Sequence, residues 1–302
     1  MFYPRKQMEE NKVSKDETAA RISYEVLASA EVYKILAKEI WMCLRGHRVR
    51  RDKTRVQIDY DLGAWKTILD EKKWLRCGSV QEYVVPPDQQ VRIAKIQNRL
   101  VRIRTCDYYT YRLHILQEIM KQYAGHEREI VELGAGCGHN ILSLALTNTW
   151  DHLAGFDVAE NGIQAAREAA QYFNIRNVDF DRLDLTNGKD ANFKKIRGKT
   201  VFTYYCLEQL KYSTSTVIRN LILAGVKRVI HMEPTTELLR MWLPMDIVNY
   251  CYITRLDYQN NLLTSLRRVE KEGGIRIIDL KRLYYAPSYK NDPTLVCWEP
   301  ST

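Results

Sequence analysis

No apolar run in the 302 residues approaches the roughly 18 needed to cross a membrane as a helix, and no signal peptide precedes the charged start. The expectation is therefore a chain with no membrane segment. None of the seven cysteines (Cys43, Cys77, Cys106, Cys137, Cys206, Cys251 and Cys297) belongs to a Cys-x-x-Cys pair. Their odd number and scatter predict reduced thiols in a cytoplasm, and argue against a disulfide framework or a structural zinc; no metal is expected. Internal repeats and low-complexity tracts are also missing. What remains is a chain of 45% hydrophobic residues, enough for one large core and a smaller attached one.

Glycine is sparse, 14 residues in all, yet three stand at alternate positions in one stretch, Ile130 to Leu144, IVELGAGCGHNILSL. Ile130, Val131 and Leu133 suit a buried parallel strand. Gly134, Gly136 and Gly138 make a tight turn that lets a ligand approach the backbone, and Asn140 to Leu146 then reads as a helix. A dinucleotide fingerprint wants glycine at the first, third and sixth positions. Counting from Gly134, the sixth position is His139.

The pattern is instead acidic-x-Gly-x-Gly-x-Gly, with Glu132 two residues before the first glycine, and it resembles the first motif of class I S-adenosylmethionine-dependent methyltransferases. That resemblance covers about Arg112 to Glu299. It implies an α/β, Rossmann-like doubly wound sheet of seven strands with a C-terminal antiparallel hairpin, and S-adenosyl-L-methionine as cofactor. It further implies that Gly134, Ala135, Gly136 and Gly138, with Asn140, pass beneath the methionine and ribose, and that Glu132 lies near the methionine. A second strand, His152 to Val158, ends at Asp157 and Val158, where the acid is placed to accept from both ribose hydroxyls. A helix over Asn161 to Phe173 follows. A third strand, Val178 to Leu185, brings Asp184 and Leu185 to the position that meets adenine in this family; Asp184 also suits a plain turn, because Thr186, Asn187 and Gly188 follow.

The fourth strand, Thr200 to Tyr205, runs into Cys206, Leu207, Glu208 and Gln209, and the fifth, Lys227 to Met232, brings His231 and Glu233 to the same edge. No Asn/Asp-Pro-Pro-Tyr/Phe motif for exocyclic amines is present. YYCLEQL looks like the segment of methyltransferases acting on sugars and other small polar acceptors. His231, Glu208 and Glu233 are the candidates to orient and deprotonate a hydroxyl, with Tyr205 beside the cofactor. The plainer readings are a hydrogen-bonded His231 at the sheet edge and a helix-capping Glu208. Cys137 and Cys206 read as small buried residues rather than nucleophiles.

Two strands, Ile275 to Leu280 and Thr294 to Glu299, complete the fold, and Thr235 to Gly274 reads as helices flanking an acceptor. Residues 1–110 read as a helical N-terminal extension, with helices over Ala19 to Leu44, Gly63 to Leu75 and Gln90 to Val101, ahead of a catalytic domain at 111–302. The first fifteen residues are expected to fray. This extension holds 22 of the 46 Lys and Arg against 15 of the 37 Asp and Glu, with its densest run at Arg45, Arg48, Arg50, Arg51, Lys53 and Arg55. Such a patch suits a solvated surface, a phosphorylated or acidic small acceptor, or nucleic acid. Three functions follow: a methyltransferase for a small polar acceptor, most simply O-methylation of a sugar or related metabolite; an RNA methyltransferase using the basic extension; or a non-catalytic scaffold of the same fold. The oligomeric state is not legible.

Overall fold

The computed structural model describes residues 22–46, 50 and 52–301. Its N-terminal part begins with strand β1 (Tyr24–Val26) and helix α1 (Ser29–Arg45). Short helices α2 (Lys53–Val56), α3 (Lys66–Asp70) and α4 (Val80–Val84) follow, with a π-helical stretch at Gln57–Trp65 and a 3-10 turn at Lys73–Arg76. Strands β2 (Val91–Ile96) and β3 (Arg99–Arg104) then pair as a hairpin, with β1 on the far side of β3.

Here the helical expectation is corrected at three places. Gln90 to Val101 is mostly strand: Ala94, Ile96, Val101 and Ile103 are buried, and Gln97 and Asn98 both take positive φ (46° and 62°), the two-residue turn that suits a twisted hairpin. Gly63 to Leu75 is broken at Lys72, whose φ of 45° ends one helix and starts another. Ala19 to Leu44 becomes a strand before a helix starting at Ser29, its first residues lying outside the described ones. Within the basic run, Arg48 and Arg51 likewise lie outside the described residues, as do the first fifteen residues.

The rest is the α/β fold: α5 (Thr105–Ala124), β4 (Glu129–Leu133), α6 (His139–Ala145), β5 (His152–Asp157), α7 (Glu160–Tyr172), β6 (Val178–Arg182), β7 (Thr200–Tyr204), α8 (Thr214–Ala224), β8 (Arg228–Pro234), α9 (Pro244–Arg255), α10 (Leu262–Lys271), β9 (Ile275–Arg282) and β10 (Pro293–Pro300). The seven-stranded sheet has the order β6-β5-β4-β7-β8-β10-β9; β4 to β8 are parallel, and β10 pairs antiparallel with both β8 and β9. Its central strands are buried on both faces, which is why they read as continuous apolar runs. One core, with Leu116, Met120, Ile141 and Ile163, packs α5, α6 and α7 on the first face. A second, with Val217, Leu221, Leu263 and Trp298, packs α8 and α10 on the other.

The chain winds outward from β4 to β6, then returns to β7 beside β4, so strand order reverses between β4 and β7. A ligand crevice belongs outside the carboxyl ends of the strands at this switch point. The N-terminal hairpin is anchored to the loop between β9 and β10. The Lys95 and Ala286 backbones bond reciprocally, and Lys95 Nζ reaches Asp292 Oδ1 at 2.7 Å with both side chains buried. Asp292 also accepts from Arg282, which grips Asp246 through both terminal nitrogens. Lys95 and Arg282 hold the Asp292 carboxyl below its ordinary range against a burial that pushes it up.

Candidate functional site

Gly134, Gly136 and Gly138, directly after β4, all take left-handed φ (82°, 54° and 78°). All three also lack room for a side chain, and a Cβ on Gly138 would stand 2.7 Å from the Phe180 ring. A Cβ on Gly134 would overlap Cys206 Sγ at the end of β7, and one on Gly136 would stand 2.7 Å from the Trp65 ring. The turn is therefore pressed between the neighbouring strand end and the N-terminal segment. His139, where a dinucleotide turn carries glycine, is packed edge-on against Tyr83 at 4.7 Å, and burial lowers its pKa to about 4.

Asp157, at the end of β5, accepts from the Gly136 amide at 2.8 Å and the Ala159 amide at 2.8 Å. It thus ties the glycine turn to the start of α7. Burial raises its pKa, and those amides pull it back down. Val158 beside it is exposed. Asp184 and Leu185 lie past the end of β6, which is shorter than Val178 to Leu185; Leu185 is buried, while Asp184 Oδ1 accepts from both the amide and the hydroxyl of Thr186.

Side-chain alternation decides what meets what. Glu132 shares a face of β4 with Ile130, so it points toward α5 and α6. Its Oε1 accepts from Asn140 Nδ2 at 2.6 Å, and Asn140 Oδ1 accepts from Arg112 of α5 at 3.2 Å. Arg112 lies over the rings of Tyr109 and Tyr204. Three buried atoms in this group have no partner: Glu132 Oε2, Arg112 Nε and the Tyr108 hydroxyl. Burial pushes the Glu132 pKa up to about 8, against the pull of Asn140 and Arg112. Arg112 was not among the residues singled out in the sequence. The available signal is an arginine four residues after Tyr108, on a helix face that is otherwise buried.

His231 and Glu233 point to the opposite face, with Val229. His231 is fully buried within β8; its Nδ1 meets Thr203 Oγ1 at 2.9 Å, its ring faces Trp298 at 6.2 Å, and burial drops its pKa to about 3. Glu233 accepts from the amides of Cys206 (2.9 Å) and Glu208 (3.3 Å), which fixes the turn after β7. Burial raises its pKa to about 7 in spite of those donors. Of the three expected acid-base residues, Glu208 alone sits past a strand end. Its Oε1 accepts from Gln209 and its Oε2 from Asn291 Nδ2, each at 2.7 Å. Tyr205, with a left-handed φ of 54°, donates its hydroxyl to the Asn291 carbonyl at 3.0 Å. Asn291 was not anticipated; it arrives on the loop between β9 and β10, and its amide donates to Asn249 Oδ1.

The π-helical segment spans this crevice. Asp61 accepts from the Asn161 amide at the start of α7, Tyr60 Oη accepts from Gln209 Nε2, and Trp65 covers Gly136. Among the described residues no helix is long and apolar enough to cross a membrane.

Residues 126–299 match a family described as a methyltransferase domain. Among solved structures, magnesium protoporphyrin IX methyltransferase from Synechocystis PCC 6803, with bound SAH, is 16% identical at a TM-score of 0.51, over 83% of this chain and 100% of that one. The N-methyltransferase NodS from Bradyrhizobium japonicum WM9, in complex with S-adenosyl-L-homocysteine, is 13% identical at a TM-score of 0.47, over 65% and 88%. No curated protein matches the chain. With more than half of its length in that family, a seven-stranded sheet of that fold and a glycine crevice at its switch point, the chain belongs to the methyltransferase-domain family and is an S-adenosylmethionine-dependent methyltransferase.

Proposed function

We propose that the chain methylates a small polar acceptor, in the simplest case a hydroxyl of a sugar or related metabolite, at the carboxyl ends of β4 and β7. The crevice fits the cofactor on its own terms. Glu132 Oε2 and Arg112 Nε, both buried and without partners, offer one carboxyl and one guanidinium beside the glycine turn. That is the complement of an amino acid's ammonium and carboxylate. In this reading Glu132 and Arg112 hold the methionyl end, with Asn140 between them. Gly134, Ala135, Gly136 and Gly138 form the floor. Asp157 and Val158 border the ribose and adenine, Asp184 and Leu185 border the adenine, and Tyr205 borders the reacting end. When bound, S-adenosylmethionine supplies a methyl group on an activated sulfonium.

The polar cluster after β7 carries the acceptor reading. Glu208, Gln209, Asn291 and Tyr205 gather next to the glycine turn, on which Cys206 packs directly. Glu208 is the group placed to orient a hydroxyl and take its proton. Glu233 serves by fixing the backbone that carries Glu208, and His231 by its bond to Thr203. Alignment of donor and acceptor supplies most of the acceleration, since effective molarities on the order of 10⁵ M are within reach of positioning alone.

Two measurements test this reading. In calorimetry, S-adenosylhomocysteine should bind at least about 100-fold more tightly than 5′-methylthioadenosine, which lacks the amino acid, from two charge-assisted contacts of about 1.5–3 kcal/mol each. Arg112→Met should erase at least tenfold of that preference; equal affinities in the unaltered protein would sink the site. Labelled S-adenosylmethionine offered with sugar nucleotides, metabolite fractions and total RNA then names the acceptor.

A further inference from the structure

Both backbone groups of Asn291, on the loop between β9 and β10, are tied down: its amide donates to Asn249 Oδ1 at 2.6 Å, and its carbonyl accepts from the Tyr205 hydroxyl at 3.0 Å. Glu39 of α1 holds the two residues before it, accepting from Tyr289 Oη at 2.6 Å and Lys290 Nζ at 2.8 Å. Asn291 is left-handed, with a φ of 70°, and Tyr205, which grips it, is left-handed too. Such conformations persist where the surroundings enforce them, and they gather at ligand sites.

The Asn291 side chain is buried, and its two ends differ. Nδ2 donates to Glu208 Oε2 at 2.7 Å, while Oδ1 has no partner among the described residues. Facing a carboxylate, the amide has to present its nitrogen, so Oδ1 is turned away from Glu208 yet belongs to the same amide group. The next residue shows the contrast. Asp292 is just as buried, and its oxygens accept from Lys95, Asn249 and Arg282. A buried amide oxygen without a partner is uncommon, since roughly nine in ten buried polar groups are bonded. The loop is anchored without it, which leaves Oδ1 for a ligand.

We infer that Asn291 determines acceptor specificity: Oδ1 accepts from a hydroxyl or amine on the carbon next to the reacting hydroxyl, so the acceptor is a vicinal diol or amino alcohol. The inference rests on the proposed function, in which Glu208 takes the reacting proton. Hydrogen-bond acceptors side by side on Glu208 and Asn291 match two neighbouring donors. An isolated hydroxyl would leave Oδ1 buried and unpaired, and a site built to bond a group discriminates sharply against an analogue that lacks it.

The full-length protein is given labelled S-adenosylmethionine with myo-inositol, the methyl glycosides of glucose, mannose and galactose, their monodeoxy analogues and a metabolite extract, and products are mapped by tandem mass spectrometry. The new methyl group should stand beside a free hydroxyl or amine, and deleting that neighbour should lower kcat/KM at least about tenfold. Asn291→Gly suits the left-handed backbone. It should use diol and deoxy analogue about equally well, while binding S-adenosylhomocysteine as the unaltered protein does, which shows that it is folded. The preference is a ratio within one protein, so a merely structural loss of activity would not move it. Methylation of an isolated hydroxyl, or a preference that survives Asn291→Gly, would overturn the inference and leave the small-acceptor reading standing. Label in RNA alone, or in no small molecule, would overturn that reading and the inference with it.

Discussion

A carboxyl group that burial has pushed up to about 8 is held mostly protonated at neutral pH, and Glu132 is that group. Unfolded, it ionises near its ordinary value of 4.5. Between these two values the folded protein holds a proton that the unfolded chain has lost, so Glu132 makes stability fall as pH rises from about 4.5 to 8. Glu233, raised to about 7, adds to the same trend. Ligand binding runs the other way: an ammonium beside Glu132 favours its ionised form, so binding expels a proton. Affinity for S-adenosylhomocysteine should therefore rise by about tenfold per unit at most between pH 6 and 8 and level off above. Calorimetry in two buffers of different ionisation enthalpy would show the released proton, and Glu132→Gln should abolish both effects. An affinity flat from pH 6 to 8.5 would contradict this account. The placement of Glu132 and the three glycines was legible from spacing, because strand, turn and helix follow one another without a gap. Arg112 was not, since it comes from a helix twenty residues earlier and meets Glu132 only once α5 lies on the sheet. Strand alternation puts His231 and Glu233 on one face; the face itself is settled by which helices cover it.

Strands that are mostly apolar on both faces were legible, β4, β5, β7 and β8 among them, because both faces are buried. The N-terminal hairpin was misread for a physical reason. Gln97 and Asn98 replace the glycine that usually marks a two-residue turn, and strand residues such as Arg92, Lys95 and Arg99 blur the alternation. Lys95 itself shows why that charge is there: it is fully buried and pairs with Asp292. Removing it by Lys95→Met strands a buried carboxylate, which typically costs 3–5 kcal/mol. Arg282 and Asn249 remain on Asp292, so the expected loss is near the lower end, about 3 kcal/mol. Urea denaturation measures it, and the double variant Lys95→Met/Asp292→Asn should recover part of the loss. A cost below about 1 kcal/mol would mean that the hairpin is not anchored through this pair.

At the scale of the whole molecule, two chain segments remote in sequence meet at one crevice. The N-terminal part covers the glycine turn through Trp65, holds the start of α7 through Asp61, and secures the β9–β10 loop through Lys95 and Glu39. Those tasks give the N-terminal part a structural reason to exist without nucleic acid. Its charge is a separate matter: the chain carries a net +9, most of it before residue 110. A protein that grips RNA through phosphates loses affinity steeply with salt, by about 10³ or more between 50 and 200 mM when six or more phosphates are contacted. With a small polar acceptor, the basic surface should give only non-specific RNA binding, with Kd on the order of 10⁻⁴ to 10⁻⁶ M near physiological salt. Filter binding of total RNA across that salt range, alongside methyl transfer from labelled cofactor, separates the two cases. The expected pattern is weak RNA binding and label appearing in the metabolite fraction. Nanomolar RNA binding at 200 mM salt together with label in RNA would instead make the basic segment a substrate-binding surface, and the small-acceptor proposal would fall.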